Sequence, residues 1–507
     1  MERFYVTTAI PYANSAPHIG FAMEAVQADA LARYHRIIGD DVYFLTGTDE
    51  HGMKIADTAE ERGISPQEHV DMMAQLNIEL KEYLNLTYDD FIRTTSDRHK
   101  AGAKKLWRVL FENGDIYKDS YEGFYCSGCE SYITEKELID GKCPVHKKEA
   151  HRFSEENYFF RLSKYSKRIE KLIETDELKI VPESRKKEFL NVVKEGLNDV
   201  SFSRPKEALQ WGIEVPNDPT QTMYVWCDAL SNYITALGYE KNGVSFEKYW
   251  PADVHVIGKD ILRFHAGIWI GMLLSAGLKI PKSIYVHGFI TSGGHKMSKS
   301  LENVVAPVDI SEQYGREPLR YYLLREIPTT DDGDFTVERF IDVYNSELAN
   351  NLGNLVNRVF SMTKRYCDGV IPEKPKDVEH FTQKYAAMWQ RYHQAVEAFN
   401  LKKAIEEIMA HVDDANKYIE DEKPWVVAKE DKEKVCVILY NLLEMLRHIA
   451  GAFYPFIPEA SEKILNGLGV SIEDENPAQM QLWGELKSGE TLTNVGKLFP
   501  RIEEEDR

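Results

Sequence analysis

Within its first fifty residues the chain alternates strand, loop, helix and strand, and no other feature constrains the fold as much. Phe4–Thr8 reads as a short buried strand and Pro11–Pro17 as a turn-rich loop. From about His18 to Ile38, alanines and apolar residues recur at helical spacing. "DDVYFLTGTDEHG" is then a second buried strand, ending in a polar loop at Thr46–Gly52. This order begins a doubly wound α/β parallel sheet, a fold that binds ligands beyond the ends of its strands.

The alternation breaks near Gly114, where aromatics, glycine and cysteines dominate as far as His146. It resumes with "TMYVWCDAL", "ADVHVIGKDILRFHAGIWIGMLL" and "KSIYVHGFITSGG". The expected organisation is therefore one nucleotide-binding domain in two halves, residues 1–113 and 219–300, split by an insertion over 114–218. A loop and contact region follows at 301–344, and long amphipathic runs then predict an α-helical domain over 345–507.

Composition narrows the class. Of 507 residues, 43% are apolar and 28% charged, which is ordinary for a soluble globular chain. A formal net charge of -20 disfavours a surface coated for nucleic acid but allows a local basic groove. The N-terminus has an early Glu2 and no apolar signal core, and the most apolar run, Gly267–Leu278, is shorter than the ~20 residues a bilayer requires. A cytoplasmic protein with no membrane partner is expected.

Three patterns carry chemistry. His18 opens a helix, where unpaired amides and the helix dipole favour a phosphate; alone, His-Ile-Gly is an ordinary helix-cap sequence. "GGHKMSKSLENVV" places Lys296 and Lys299 in a glycine-led loop, suited to closing two ammonium groups around a triphosphate. There is no GxxxxGK[ST] sequence, which argues against a P-loop enzyme. Cys126 and Cys129 stand at CxxC spacing, and Cys143 and His146 at CxxH spacing. That donor set suits a closed tetrahedral zinc site with a structural role. The other cysteines, Cys227, Cys367 and Cys436, are scattered.

"TTAIPYAN", "PHIG", "FLTGTDEHG", "YVWCDAL", "IGKDILRFH" and "KMSKSLENVV" occur in that order. Together they resemble the class I aminoacyl-tRNA synthetases and, among these, the methionyl-tRNA synthetase family, from about Phe4 to at least Pro458. The resemblance implies a Rossmann-type sheet split by a zinc-bearing connective insertion, followed by an anticodon-binding domain. It implies a ligase that activates L-methionine with ATP and Mg²⁺ and charges the terminal adenosine of a tRNA with a CAU anticodon.

By the same resemblance, Ala9, Ile10, Tyr12, Asp49, Trp226, Ala229, Tyr233, Asp260, Ile261, Phe264, His265 and Trp269 would line the methionine pocket. His18, Gly20, Lys259, His287, Gly288, Lys296 and Lys299 would bind ATP, with His18, Lys296 and Lys299 catalytic. Asn354, Arg358 and Trp425 would read the anticodon, and Cys126, Cys129, Cys143 and His146 would hold one Zn²⁺. Ile261, His265 and Trp269 recur every four residues, which predicts one shared helix face, and an aromatic pocket suits a thioether. A monomer is expected.

The sequence departs from the family pattern at Phe21, where a second signature histidine is usual, and at Leu230, where some members have proline. Three rivals stand beside this reading: another class I synthetase, a non-enzymatic tRNA-binding paralogue, and a small-molecule adenylyltransferase. Trp226, Tyr233, His265 and Trp269 disfavour the first. The presence of Asp49, Lys296 and Lys299 disfavours the second. The helical and cysteine-bearing regions are unexplained by the third.

Overall fold

A computed structural model describes residues 2–126, 131–133, 138–139, 141–144, 151–297, 303–329, 331–472 and 477–503. Its centre is a six-stranded parallel sheet. In chain order the strands are β1 (Arg3–Thr8), β2 (Asp41–Thr48), β3 (Asp90–Arg93), β4 (Lys179–Val181), β5 (Val254–Gly258) and β6 (Ser283–His287). In space they run β3-β2-β1-β5-β6-β4. The order reverses between β1 and β5, and in such sheets the crevice for ligands opens at that point.

Alternate residues of each strand point to opposite faces. Phe4, Val6, Phe44, Val254, Val256 and Tyr285 join one buried cluster. Tyr5, Leu45, Ile257, Ile284 and Val286 join another. Burial on both faces explains why these strands read as continuous apolar runs rather than alternating ones.

Two expectations about this region are corrected. "TMYVWCDAL" does not supply a strand of the parallel sheet. Asp218–Met223 instead pairs antiparallel with Glu214–Val215 and Ser203–Pro205 in a small separate sheet. Conversely, Lys179–Val181 lies inside the stretch read as an insertion, yet it is the edge strand beside β6. The rest of that stretch centres on Ile116–Cys126, paired antiparallel with His151–Phe160.

Helices begin before the expected boundary, with Pro307–Tyr314 and Arg316–Arg325. The helical domain is built on Asn354–Tyr366, Glu379–Glu397, Leu401–Glu422, Lys432–Phe453 and Pro458–Gly467. Among the described residues one helix, Lys432–Phe453, is long and apolar enough to cross a bilayer by length and composition. Its apolar window is 89% buried inside the domain, so it packs as a core helix.

Arg320 joins the two halves. It is fully buried, and its guanidinium donates to the carbonyls of Leu84, Pro455 and Phe456 at 2.9–3.0 Å. It also meets Asp29 Oδ2 at 2.7 Å, and Asp29 lies midway along the Ile19–Ile37 helix. Burial alone would raise the Asp29 pKa; Arg33 and Arg320 outweigh it and hold the carboxylate below its usual range. Next to Arg320, Glu317 accepts from the amides of Glu459 and Ala460 at 2.6 and 2.7 Å, at the start of the Pro458–Gly467 helix.

Candidate functional site

The site lies at the reversal point, where the chain leaves β1 and β5 at their carboxyl ends. His18 is the N-cap of the Ile19–Ile37 helix rather than part of its first turn. Its ring curls back, and Nδ1 accepts from the Gly20 amide at 3.1 Å. The Ile19 amide donates to the Val305 carbonyl at 3.1 Å. The Phe21 amide donates to the His18 carbonyl at 3.0 Å, so the expectation of unpaired amides here is corrected: the first three helix amides all have acceptors within the chain. Gly20 permits the curl, since a Cβ there would sit 2.9 Å from the His18 ring. Burial lowers the His18 pKa, opposed by Asp260. Phe21 packs against the large apolar cluster, as do Met297 and Val305.

His287 ends β6, and its Nε2 meets Glu24 Oε2 at 2.8 Å while Nδ1 faces the Gly288 carbonyl at 2.8 Å. Glu24 Oε1 accepts from the Ala9 amide at 2.7 Å, so one buried carboxylate ties the ends of β1 and β6 to the His18 helix. Burial works to lower the His287 pKa, and the Glu24 carboxylate outweighs it and raises it. At Gly288 an added Cβ would meet the Asp331 carbonyl oxygen at 2.2 Å, so the 331–332 backbone packs directly on this glycine.

The glycine-led loop is a β-hairpin. Ile290–Ser292 pairs with His295–Lys296, and Gly293 and Gly294 turn it at φ 60 and 77, the left-handed region that glycine enters freely. Gly333–Phe335 pairs parallel with the first arm. Asp334 Oδ1 accepts from Thr291 Oγ1 at 2.6 Å and from the Gly294 amide at 2.8 Å. Asp332 accepts from Lys259 Nζ at 2.6 and 2.7 Å and from the Phe289 amide at 2.9 Å. Lys259 thus anchors the strand that braces the hairpin. Lys296 ends the second arm; Lys299 lies outside the described residues.

Several of the remaining candidate residues form an aromatic and apolar cluster. Trp226 and Phe264 stack with ring centroids 3.4 Å apart. Ile10, Trp226 and Ala229 share one apolar cluster. Tyr12 and Asp49 are bridged through their backbones, and Asp49 is 7% exposed. Gly52, at φ 133, makes room for the Tyr12 hydroxyl, which a Cβ would meet at 2.2 Å.

The single helix predicted through Ile261, His265 and Trp269 is corrected. Lys259–Ile261 is a 3₁₀ turn, Phe264–Trp269 is π-helical and Ile270–Ser275 is α-helical. The wider π turn is a common device at functional sites. His265 Nδ1 faces the Ile261 carbonyl at 3.0 Å and Nε2 faces the Tyr233 hydroxyl at 2.7 Å. Trp269 Nε1 donates to His255 Nε2 at 3.2 Å, and His255 Nδ1 meets Thr7 Oγ1 at 2.7 Å. Burial lowers His265 to about 4 and His255 well below its ordinary value, so both rings are neutral at pH 7. Neutral tautomers with Nδ1 donating satisfy every partner in this chain.

In the short helix that also carries Trp226 and Ala229, Asp228 accepts from His51 Nδ1 at 2.6 Å and His99 Nε2 at 2.7 Å, and the two histidines hold it well below the carboxylate range despite its burial. Sequence reasoning missed Glu24, His255, Asp332, Asp334 and this triad. Glu24 left a signal, an acid inside the otherwise apolar run "FAMEAV".

In the helical domain Asn354 is exposed, Trp425 is 37% exposed, and Arg358 pairs with Glu420 at 2.6 Å. That pair brings the Asn354–Tyr366 helix to the end of Leu401–Glu422, just before Trp425. Of the expected zinc ligands, Cys129 and His146 lie outside the described residues. Cys126 ends its strand opposite Ser131, and Cys143 is buried. Among the described residues no group of three or more His, Cys, Asp or Glu could hold a metal.

A family model for "tRNA synthetases class I (M)" matches residues 4–155 and 146–360. One for the "Anticodon binding domain of methionyl tRNA ligase" matches 372–507. The methionine–tRNA ligase of Caldanaerobacter subterraneus is 45% identical, covering 99% of this chain and 80% of the relative. That of a Nostoc species is 42% identical, covering 99% and 98%. Mycobacterium tuberculosis methionyl-tRNA synthetase in complex with methionyl-adenylate superposes with a TM-score of 0.94 at 39% identity, over 99% of this chain and 100% of that one. Its free-state structure gives 0.87 at 36%, over 99% of each chain.

Proposed function

This chain belongs to the methionyl-tRNA synthetase family and is a methionine–tRNA ligase, and on that premise we propose how its residues divide the reaction. Asp49 holds the ammonium group of L-methionine at the mouth of the pocket. Ala9, Ile10, Tyr12 and Asp260 flank it. Trp226, Ala229, Tyr233, Ile261, Phe264, His265 and Trp269 enclose the thioether. The low pKa of His265 supports this assignment, because a neutral ring puts no charge beside sulfur and leaves an environment that favours sulfur–aromatic contact.

ATP lies across the reversal point against His18, Gly20, Lys259, His287 and Gly288, with Mg²⁺ entering as its counter-ion. In the first step a carboxylate oxygen of methionine forms a bond to the α-phosphorus. The bond to the bridging oxygen breaks, and its electron pair leaves with pyrophosphate. His18, Lys296 and Lys299 stabilise that charge. In the second step the 2′-hydroxyl of the terminal adenosine attacks the acyl carbon, loses its proton, and AMP departs. No side chain becomes covalently bonded; positioning and charge stabilisation do the work.

Asn354 and Arg358 hydrogen-bond anticodon base edges and Trp425 stacks on a base, a mode suited to single-stranded RNA. Three thiolates and an imidazole at 126, 129, 143 and 146 fit Zn²⁺ by donor chemistry, and the ion would crosslink the insertion. Residues 114–218 serve as the connective insertion and 345–507 as the anticodon domain. The working form is a cytoplasmic monomer.

One observation carries this reading. Glu24 ties the helix capped by His18 to the ends of β1 and β6 at the sheet's reversal point, and the braced lysine hairpin leaves the chain just after β6. Methionine-dependent ATP–pyrophosphate exchange, followed by charging of a CAU-anticodon tRNA, tests it. Exchange with methionine above cysteine, valine, isoleucine and leucine supports it; no exchange by folded, zinc-loaded protein refutes it.

A further inference from the structure

Two thiols that the reaction does not use meet in the helical domain. Cys367 caps the C-terminus of the Asn354–Tyr366 helix, and Cys436 lies early in Lys432–Phe453. Their sulfurs are 3.1 Å apart across 69 residues of chain. Both side chains are partly exposed, within reach of a small oxidant.

Neither sulfur rides on a loose segment. The Cys367 and Gly369 amides both donate to the Thr363 carbonyl, at 2.9 and 3.2 Å, and the chain turns sharply at Asp368 and Gly369 with φ 54 and 73. Cys436 is fixed by its helix. A disulfide needs about 2.05 Å between sulfurs, so the remaining approach is roughly 1 Å, within the range of side-chain rotation.

We propose that Cys367 and Cys436 are a redox modification site, a dithiol that glutathione disulfide converts to a reversible intramolecular disulfide. One thiolate attacks a sulfur of glutathione disulfide and expels a glutathione thiolate. The second thiol loses its proton, attacks the protein-bound sulfur of that mixed disulfide and expels the other glutathione. Two protein thiols become one disulfide, and one glutathione disulfide becomes two glutathiones, a balanced two-electron exchange. Burial and the adjacent Cys436 sulfur raise the Cys367 thiol pKa, which disfavours it as the first attacker; in the second step its proximity to the Cys436 sulfur compensates.

The staple joins the helix carrying Asn354 and Arg358 to the core helix of the domain. Oxidation should therefore lower tRNA charging and leave methionine-dependent exchange unchanged. That consequence rests on the anticodon reading above; the chemistry of the pair does not.

The test uses full-length, zinc-loaded protein equilibrated in glutathione buffers, quenched with N-ethylmaleimide and mapped by mass spectrometry. The expected product is a Cys367–Cys436 crosslinked peptide that dithiothreitol removes. Cys367→Ser should trap glutathione on Cys436, and Cys436→Ser should leave no crosslink and less glutathione on Cys367 than Cys367→Ser leaves on Cys436. Free, alkylated thiols at both positions in oxidising buffer overturn the proposal, as do mixed disulfides alone in the unmutated protein. A charging loss that persists in the double serine variant assigns the effect to other cysteines and overturns the link to charging. A crosslink with unchanged charging also overturns that link while leaving the modification site standing.

Discussion

Gly288→Ala isolates how the strand behind the lysine hairpin is held. The new methyl carbon would sit 2.2 Å from the Asp331 carbonyl oxygen, 2.5 Å from its carbon and 2.9 Å from the Asp332 nitrogen. Ordinary contact begins at 3.4 Å, so the 331–332 backbone must retreat by about 1 Å. No flexible side chain lies between to absorb the strain. Overpacking of this kind costs about 1–3 kcal/mol of stability. The larger effect is on geometry: as the strand retreats, Asp332 moves from Lys259 and Asp334 carries Thr291 and Gly294 with it. A displacement of that size at reacting groups costs on the order of 10²-fold in rate. In ATP–pyrophosphate exchange at saturating methionine, kcat/KM for ATP should fall by about that factor. Methionine affinity, read from tryptophan fluorescence, should stay within about threefold, under ~0.7 kcal/mol, because the Trp226–Phe264 stack is not part of this brace. Unchanged ATP kinetics in the folded variant would refute the reasoning. Equal losses for both ligands would show general collapse instead.

Lys296→Ala should lower the exchange rate about 10²–10³-fold while methionine binding, measured by calorimetry, persists; equal loss in both would remove Lys296 from its role. Phe21→His should fold normally and change the exchange rate by less than about tenfold, since Phe21 packs on apolar core and offers no donor to lose; recovery from no activity to full activity would contradict a working natural site. Burial pushes Glu317 up to about 7, against the Ala460 and Glu459 amides that favour its charge. Its folded pKa exceeds the unfolded value, so its stabilising contribution is complete below about pH 4.5, declines as pH rises, and is lost above about 7, roughly 3 kcal/mol in all. The melting-temperature advantage of the unmutated protein over Glu317→Gln should shrink between about pH 5 and 8; a constant difference would refute the assignment.

Much of this was legible in the sequence, because the signals are local. Continuous apolar runs marked β1, β2, β5 and β6, and among the motif residues Trp226 stacks on Phe264 while Tyr233 meets His265. What escaped depends on contacts between distant segments. Strand β4 has three residues, too few to show a period, and only β6 beside it makes it a strand. The four-residue spacing of Ile261, His265 and Trp269 suited an α-helix, yet the segment winds through 3₁₀ and π turns, and no periodicity distinguishes these. The amides near His18 looked open to phosphate because Val305, which occupies one of them, lies 286 residues away in the chain. Glu24 and Asp332 act through His287 and Lys259, partners identified only once the chain is folded.

Arg320 sets where this protein can be divided. The first family model ends at residue 360, which suggests a boundary for a free-standing catalytic half. A chain shortened there would lack the Pro455 and Phe456 carbonyls and leave their guanidinium donors in a protein cleft. Glu317 would lose both amides it caps. Guanidinium donors without acceptors would then lie beside Asp29, on the helix that begins at His18. A fragment that keeps these partners must run past the carbonyls at 455 and 456 and into the helix after them, so a cut at the family-model boundary divides one shared set of buried hydrogen bonds.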